Sequence, residues 1–377
     1  MKIDIPIRNL SAEVKNRTLV VSYSKPFKVM SSAVLNGGLG QVRSIINCQV
    51  PTDYDHANPD EILRLRAEAL DISGPVVGLL TAVDLENLAI STSIVSKRSL
   101  LTIATAGLSN AARPGEATPK DRAGTINLII VYEGDMTEGC MVNAIMTATE
   151  SKCATLEELD VRTKMTRTRA TGTSTDTVTL CCMGEGNPLR YAGSATKIGR
   201  ALGETVQTSI RDSLRKQERL VPGRPMASRM EERGISFEDI LEAALQLFVP
   251  HPGIEKKRDA RRILRMELED ALNDVNVCCL ISAGMRLEED GKLGLIPKMN
   301  CEEFAKDPIY LLADEIIGRQ IAEYIGGTKA IFEFERFDEK KPAILRRLGP
   351  FMDDVVAGIA AGISSKMYSK GLEEPRR

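Results

Sequence analysis

The sequence contains few of the residues on which several common kinds of site depend. It has no tryptophan and only two histidines, His56 and His251, among 377 residues. Two histidines so far apart exclude a paired-histidine metal motif such as H-E-x-x-H. The shortage of aromatic rings argues against a base-stacking surface for nucleic acid. Chemistry in this chain must therefore rely on carboxylates, hydroxyls, lysines and the backbone.

Long apolar runs and large net charge are absent as well. The longest apolar candidates, "VVAGIAAGI" and "GPVVGLLTAV", are about half the length of a membrane-spanning helix. The net charge is -2, and the eight cysteines form no C-x-x-C pair. The first residues, "MKIDIPIRNL", lack the apolar core of a signal peptide. We expect a cytoplasmic protein with reduced thiols that binds neither nucleic acid nor membrane. The sequence is compatible with a homo-oligomer and does not report the oligomeric state.

The first half alternates strand-like and helical segments. The runs "TLVVSYS", "INLIIVYEG" and "DTVTLCCMG" are apolar and β-branched, as in strands. The segments "CMVNAIMTATESKCATLEEL" and "SATKIGRALGETVQTSIRDSLRKQERL" have helical apolar spacing, with Ile198, Leu202, Val206 and Ile210 on one face. These patterns predict an α/β domain over residues 1–222.

The stretch "RKQERLVPGRPMASRMEERG" has two prolines and no apolar period, which predicts a linker at residues 223–234. Ser236 then suits a helix N-cap, with Glu238 and Asp239 in the first turn. Every later segment has a helical pattern. The sequence therefore predicts a two-domain chain whose second domain, residues 235–377, is all-α.

Two pairs of carboxylates interrupt apolar helices in this second domain. Asp314 and Glu315 lie in "YLLADEIIG", and Asp353 and Asp354 lie in "PFMDDVVAGIAAG". A buried unpaired carboxylate costs several kcal/mol, so a cation is expected nearby. Oxygen ligands from two helices favour Mg²⁺ or Mn²⁺. We predict that these four residues are metal ligands.

The segments "DPIYLLADEIIG" and "RFDEKKPAILRRLGPFMDDVVAGIAAG" resemble the phosphatidylglycerophosphatase A-like family. "LFVPHPGIEKKRDARRIL" and "GTKAIFEFERFDEKKP" are similar to its soluble archaeal branch, the α-ribazole-5′-phosphate phosphatases. The resemblance implies Mg²⁺-dependent hydrolysis of a nucleoside phosphate. It carries over onto the four carboxylates and onto Asp338 and Lys341 in the predicted loop "RFDEKKP". Arg336 in the same stretch would bind phosphate oxygens.

Small polar residues cluster in the first domain near glycines and strand ends. The candidate ligand-binding residues are Asn36, Gly37, Gly38, Asn110 and Asn127. Such turns present backbone N–H groups and amides to a ligand. Several of them in one domain favour a polar pocket.

A second group of residues in the first domain suits catalysis. It comprises Glu150 and Lys152 in "TATESK", and Thr171, Thr173, Thr175 and Asp176 in "RATGTSTDTVTL". Hydrolysis of an inert bond needs an activated nucleophile and a group that stabilises the oxyanion. One scheme uses a threonine hydroxyl with Lys152 or Glu150 as the base. The other uses Glu150 or Asp176 to activate water. His56, with Asp53 and Asp55, is a further candidate base or metal ligand.

The pieces "NGGLG", "TAGLSNAARPGE", "GTINLIIVYEGDMTEG", "TATESKCATLEEL", "RATGTSTDTV" and "YAGSATKIGRALG" together resemble the adenosylcobinamide amidohydrolase family. The resemblance implies cleavage of the amide between a corrinoid and its aminopropanol arm, with no certain cofactor. Joined to the phosphatase-like half, it resembles a bifunctional enzyme of cobamide salvage. The alternative is a corrinoid-binding module fused to a phosphatase for another phosphomonoester.

Overall fold

A computed structural model of the chain describes residues 1–54, 57–118 and 123–373. The chain forms two compact units, Met1–Gly223 and Arg224–Arg377. The first unit mixes strands and helices, whereas every regular element described in the second unit is helical. The predicted mixed α/β content is therefore confirmed, with most of the helices in the second half.

The regular elements of the first unit follow one another along the chain. The strands are β1 (Lys2–Ile3), β2 (Leu10–Lys15), β3 (Thr18–Ser31), β4 (Gly38–Gln49), β5 (Val76–Thr81), β6 (Ala89–Val95), β7 (Arg98–Ala106), β8 (Ala111–Ala112), β9 (Ile126–Met136), β10 (Gly172–Thr173) and β11 (Thr177–Leu189). The helices are α1 (Pro59–Ala69), α2 (Glu138–Glu158) and α3 (Lys197–Glu218), with a 3₁₀ turn at Leu85–Asn87.

Nine of the described strands form one sheet in the order β1-β2-β3-β11-β9-β7-β6, with β4 beside β3 and β5 beside β4. Strands β9 and β11 are parallel, and α2 lies between them along the chain. On β9, Leu128 and Ile130 face the core under α2 and α3, while Ile129 and Val131 face a second core on the other side. Burial on both faces explains why "INLIIVY" is an unbroken apolar run.

Helix α3 packs on β6 and β7 through the stripe predicted from its spacing. Ile198, Leu202, Val206 and Ile210 are all buried there. Helix α2 packs beside α3 and against β11. The two helices thus cover one face of the sheet, and α2 brings its side chains over the start of β11.

The second unit is built from eight helices in the described part of the chain. They are α4 (Met226–Glu231), α5 (Phe237–Gln246), α6 (Lys257–Asn273), α7 (Val275–Lys292), α8 (Cys301–Phe304), α9 (Ala313–Gly326), α10 (Lys329–Lys340) and α11 (Pro350–Glu373), with a 3₁₀ turn at Ala343–Arg347.

Helix α11 is the centre of the second unit and contacts α5, α6, α7, α9 and α10. Its residues from Pro350 to Ser365 are buried on all sides, as expected of a helix that is apolar all round. A Cβ on Gly358 would lie 2.3 Å from the carbonyl oxygen of Gly318 on α9. The glycines of "VVAGIAAGI" therefore allow two helix backbones to come into direct contact.

Two sequence expectations differ from the structure in this unit. The stretch predicted as a linker contains α4, whose Met226 and Met230 are buried, because these two methionines lie one helical turn apart. The stretch "RFDEKKP", predicted as a loop, is mostly helical: α10 continues to Lys340, and Asp338 lies in its last turn. The helix ends only before Pro342, since a proline disfavours helical geometry at the preceding residue.

Candidate functional site

The turn "TGTST" before β11 carries the densest polar contacts of the first unit. Asp176 accepts hydrogen bonds from the Thr173 hydroxyl and, through Oδ2, from the Thr173 backbone N–H at 3.1 Å. Its Oδ1 also accepts from the backbone N–H of Ile126 at 3.0 Å. Asp176 therefore joins the turn to the first residue of β9.

Lys152 reaches this carboxylate from α2. Its Nζ makes an ion pair with Asp176 Oδ2, and the lysine is only 8% exposed. A Cβ on Gly172 would lie 2.3 Å from Asp176 Oδ2 and 2.6 Å from Lys152 Nζ, so only glycine leaves room for the pair. The structure thus brings together three of the predicted catalytic residues, Thr173, Asp176 and Lys152.

The other predicted catalytic residues lie outside this network. Thr171 is the first residue of the turn, and its backbone N–H donates to a carbonyl of β8. The Thr175 hydroxyl donates to the Gly124 carbonyl at 2.7 Å. Glu150 is exposed on α2 because it lies two residues, and so about 200° around the helix, from Lys152. The structure therefore gives Glu150 no part in the buried network.

A cavity of about 110 Å³ lies beside the same turn. Side chains alternate along an extended chain, so Thr175 and Thr177 face the cavity while Asp176 faces α2. The volume is about that of four water molecules, enough for a small polar group. The cavity is lined by Val34, Val50, Tyr54, Pro59, Leu80, Thr81, Ala82, Ala123, Gly124, Thr125, Thr175 and Thr177.

Two of the three predicted asparagine ligands are buried. Asn127 is 1% exposed, and its amide donates to Asn47 Oδ1 at 3.1 Å and to the Leu80 carbonyl at 2.7 Å. This side chain ties strands together and offers no free donor to a ligand, contrary to the prediction. Asn110 is fully buried and donates to Ser174 Oγ at 2.7 Å. It therefore supports the tip of the "TGTST" turn.

The predicted ligand residues of "NGGLG" form the turn before β4. Asn36 has a left-handed φ of 54°, and its side-chain amide donates to the Val76 carbonyl at 2.7 Å. A Cβ on Gly37 would lie 2.4 Å from the Ala33 carbonyl oxygen, and Gly38 has a φ of 92°. These three residues thus shape a turn near the cavity. Asp55 and His56 lie outside the described residues.

Glu116 is a polar residue that the sequence analysis missed. Its carboxylate accepts hydrogen bonds from the hydroxyls of Thr166 and Thr168, the latter at 2.7 and 2.9 Å. These bonds hold the pKa of Glu116 below its usual value. Glu116 thereby anchors the loop that leads to the "TGTST" turn. The sequence could have indicated this residue, because Glu116 ends the segment "TAGLSNAARPGE".

In the second unit, three of the four predicted metal ligands are buried close together. Asp314 begins α9, and Asp353 and Asp354 lie in the first turn of α11; their exposures are 2%, 5% and 4%. Lys341 Nζ lies 2.6 Å from Asp353 Oδ2 and 3.8 Å from Asp338 Oδ1. Three of the four predicted carboxylates are therefore buried near one another, and Lys341 is the cation paired with Asp353.

An unusual backbone places Lys341 in this cluster. Lys341 and Ala343, on either side of Pro342, have left-handed φ values of 39° and 51°. The Lys341 carbonyl accepts from Arg346 Nε at 3.0 Å, and the Ala343 N–H donates to Gln246 Oε1 at 2.9 Å. Non-glycine residues hold such geometry only where their surroundings require it.

The burial of the carboxylates sets their proton affinity. Burial raises the pKa of Asp314 to about 6 and that of Asp353 to about 7. Burial, followed by the charge of Asp353, raises the pKa of Asp354 to about 9. Burial lowers the pKa of Lys341, but the hydrogen bond to Asp353 and the charges of the neighbouring aspartates together outweigh it and leave that pKa above its usual value. The cluster therefore favours additional positive charge.

Two predicted members of this site lie elsewhere. Glu315 is half-buried and pairs with Arg319 on its own helix at 3.0 Å. Arg336 donates to Glu333 at 2.6 Å and to the Leu247 carbonyl at 3.1 Å. Arg336 is two residues from Asp338 on α10 and so points away from it, which contradicts its predicted contact with phosphate.

Among the described residues, no three Asp, Glu, His or Cys side chains are arranged to hold a metal ion. Lys341 already occupies one side of Asp353, and Glu315 is turned away. The binding of Mg²⁺ or Mn²⁺ thus stays a prediction that requires these side chains to rearrange.

A cleft of about 490 Å³ opens beside Lys341. The sequence analysis missed its other cations, Lys292, Arg346 and Arg347. The sequence signal was the pair of arginines in "AILRRLG", which follows the predicted loop. The cleft lies at the beginning of α11, next to Asp353.

The hydroxyl of Thr173 bonds to the carboxylate of Asp176, which pairs with the buried ammonium of Lys152. A hydroxyl linked to a carboxylate in this way is typical of a hydrolytic site. The chain belongs to the adenosylcobinamide amidohydrolase family, whose model matches residues 5–222. An adenosylcobinamide amidohydrolase of Methanosarcina mazei is 32% identical over 210 residues, which are 53% of this chain and 96% of the relative. One of Halobacterium salinarum is 29% identical over 197 residues, 50% of this chain and 80% of the relative.

Other similar proteins have no function in their names. An uncharacterized protein of Methanocaldococcus jannaschii is 35% identical over 133 residues, covering 34% of this chain and 99% of the relative. The crystal structure of low temperature requirement C protein from Listeria monocytogenes is 26% identical, covers 38% of this chain and 93% of its own, and has a TM-score of 0.34. Within the described residues, no helix is both long and apolar enough to cross a membrane.

Proposed function

We propose that the first unit hydrolyses adenosylcobinamide at the amide between the corrinoid and its aminopropanol arm. The products are adenosylcobyric acid and aminopropanol. The family match over residues 5–222 and the two relatives of that name support this substrate. The local geometry supports an amide-cleaving site at the "TGTST" turn.

The observation that carries the proposal is the hydrogen bond from the Thr173 hydroxyl to Asp176, whose other oxygen is paired with buried Lys152. In our scheme, Thr173 Oγ attacks the amide carbon and Asp176 accepts its proton. Asp176 then gives that proton to the amine as the C–N bond breaks, and water hydrolyses the remaining corrinoid ester of Thr173 to the acid. Lys152 pairs with the carboxylate and holds it in place. Backbone N–H groups of the turn are the candidate oxyanion donors. In the second scheme, Asp176 activates water directly.

The size of the neighbouring cavity suits the leaving group. About 110 Å³ accommodates the few non-hydrogen atoms of aminopropanol but not a corrin ring. We place the arm in the cavity, where the hydroxyls of Thr125 and Thr177 face its alcohol, and the ring outside. This orientation would present the amide at the turn.

The test compares Thr173→Val with Thr175→Val in the full chain. We expect Thr173→Val to lower aminopropanol release at least about 100-fold, because the attacking hydroxyl and its base are uncoupled. Thr175→Val changes a hydroxyl in the same turn that bonds only to Gly124, so its effect should be much smaller. A covalent corrinoid adduct seen by mass spectrometry would separate attack by Thr173 from water activation. Full turnover in Asp176→Asn would contradict both schemes.

We also propose a phosphomonoesterase activity in the second unit, with α-ribazole 5′-phosphate as the substrate. The buried trio Asp314, Asp353 and Asp354 supports it, since raised carboxyl pKa values mark a place that a cation would stabilise. The sequence resemblance of residues 235–375 gives the substrate. Carboxylate oxygens are the ligand type that Mg²⁺ and Mn²⁺ prefer, and these three would have to rearrange to bind the ion.

In this second proposal the three carboxylates would hold the metal ion. When bound, such an ion polarises a phosphoryl oxygen and lowers the pKa of a water molecule. Lys341 offsets charge on the phosphoryl oxygens, and half-exposed Asp338 is placed to accept a proton.

The corresponding test measures phosphate release from α-ribazole 5′-phosphate by the full chain with Mg²⁺ and with EDTA. We expect Asp338→Asn and Asp354→Asn to abolish release while thermal unfolding shows an intact fold. Glu339→Gln, a change at an exposed neighbour, is the matched control. Near-normal turnover in both Asp variants would refute the assignment. Aminopropanol release should continue in EDTA.

A further inference from the structure

The cleft beside Lys341 has the dimensions of a site for an organic molecule. Its volume of about 490 Å³ falls within the roughly 300–1,000 Å³ of small-molecule pockets. It is bounded by the 3₁₀ turn Ala343–Arg347, by α8 and by the start of α11. A bare phosphate would fill only a small part of it.

One side of the cleft is cationic. Arg346 donates through Nε to the Lys341 carbonyl, which fixes its guanidinium at the rim. Arg347 is exposed next to it. Among the described residues, neither arginine has a carboxylate partner, whereas Arg319 and Arg336 of the same unit each pair with a glutamate. Unpaired guanidinium forks suit the oxygens of a phosphate.

The remaining lining differs in character. Leu348 is the partly exposed apolar residue of the lining, behind which Phe304 and Leu345 are only 2% and 1% exposed. The carboxylate of Glu288 pairs with Lys292 and that of Asp307 with Lys341, so both acids lie beside a lysine. Such a lining favours a ligand with hydroxyl groups and an apolar ring, and it disfavours one that is anionic throughout. The combination points to a phosphorylated sugar that carries a ring.

We propose that this cleft binds a phosphomonoester of nucleoside size, and that Arg346 and Arg347, not Arg336, recognise its phosphate. The inference rests on the phosphatase activity proposed above and deepens it by naming the recognition residues. Lys341 lies between the two regions, since it contacts Asp353 and also lines the cleft. A phosphate held by the arginines would therefore lie next to the acidic cluster.

The test is calorimetric titration of the full chain in EDTA. The probes are adenosine 5′-monophosphate, adenosine, inorganic phosphate, and vesicles of phosphatidylcholine with phosphatidic acid. We expect the nucleotide to bind most tightly. The Arg346→Ala/Arg347→Ala double variant should weaken nucleotide binding at least about tenfold, because charge-assisted hydrogen bonds are lost. Arg336→Ala, the matched control, should change it less than about twofold.

Arg347→Ala is measured separately, because Arg346 also anchors the Lys341 carbonyl and Arg347 does not. A loss of binding in Arg347→Ala therefore supports phosphate recognition. Unchanged binding in the double variant, or an equal loss in Arg336→Ala, would overturn the inference. Tighter binding of the vesicles than of the nucleotide would refute the inference that the ligand is of nucleoside size.

The phosphatase proposal can fail separately. If nucleotide binding depends on the two arginines but α-ribazole 5′-phosphate releases no phosphate in Mg²⁺, the proposed binding site is supported and the proposed phosphatase activity is refuted. Phosphate release with an unchanged KM in the double variant keeps the activity and overturns the cleft.

Discussion

Replacement of Gly172 by alanine tests whether the pair of Lys152 and Asp176 organises the first unit. The new Cβ would lie 2.3 Å from Asp176 Oδ2 and 2.6 Å from Lys152 Nζ. Gly172 does not have a positive φ, so the backbone itself tolerates alanine. The substitution therefore acts on the contact between the two charges, which must separate or shift.

The size of the effect follows from the burial of the pair. The lysine and aspartate side chains are 10% and 13% exposed, so solvent screens them little. Removing one partner of a buried pair costs about 3–5 kcal/mol, and displacing both should cost about 2–3 kcal/mol. For a unit of this size, that loss corresponds to a fall in Tm of about 4–12 °C. Aminopropanol release should fall with it, since Asp176 loses its position.

The assay is calorimetric unfolding of the full chain, together with release of aminopropanol. Gly139→Ala is the control: it lies in α2, and a Cβ there meets no atom within 4 Å. It should be neutral or stabilise by up to about 1 kcal/mol. If Gly172→Ala unfolds at the same temperature as Gly139→Ala and keeps full activity, the pair does not organise the site.

Three further predictions concern charge and packing elsewhere. Burial, then the charge of Asp353, raises the pKa of Asp354 to about 9. Because this exceeds the unfolded value of about 3.9, the stabilisation is complete below about pH 4 and is lost as pH rises through about 9. Urea unfolding without divalent metal should therefore show that the free energy of unfolding falls from about pH 5 to pH 9, by at most about 1.4 kcal/mol per pH unit. The fall should be less steep in Asp354→Asn, and equal slopes in the two proteins would count against the burial of Asp354 as its cause. The pKa of Glu116 is lowered, so its stabilisation exists above the unfolded pKa and is lost on acidification. Glu116→Gln should flatten the acid limb of the unfolding curve and speed proteolysis of the loop it anchors; an unchanged digestion rate would contradict that role. Gly358→Ala forces a Cβ to 2.3 Å from the Gly318 carbonyl and should destabilise the second unit by about 1–3 kcal/mol in calorimetry, whereas wild-type stability would show that the helices separate freely.

Local patterns in the sequence were sufficient for much of the fold. The apolar run of β9 and the four-residue stripe of α3 predicted buried elements because side-chain periodicity follows directly from backbone geometry. Ser236 likewise caps α5, where its Oγ accepts from the Asp239 N–H at 3.1 Å and the Asp239 carboxylate accepts in return. Each of these depends on residues a few positions apart.

Sequence was insufficient where residues distant along the chain meet. The "TGTST" turn was recognised, but the sequence did not show that Lys152, and not Glu150, lies beside it, because that depends on how α2 lies over β11. Arg336 was assigned to phosphate by proximity in sequence, while its helix turns it towards Leu247. The left-handed Lys341 also gave no signal, since lysine rarely adopts that geometry.

One consequence follows from the parallel pairing of β9 with β11 across α2. The backbone amide of Ile126, the ammonium of Lys152 and the carboxylate of Asp176 all lie within one strand–helix–strand segment, in which Ile126 and Asp176 are 50 residues apart. These three polar groups are therefore held together within a single supersecondary motif. A circular permutant opened in the hairpin between β6 and β7 would leave that motif unbroken, so the contacts among these three groups should persist.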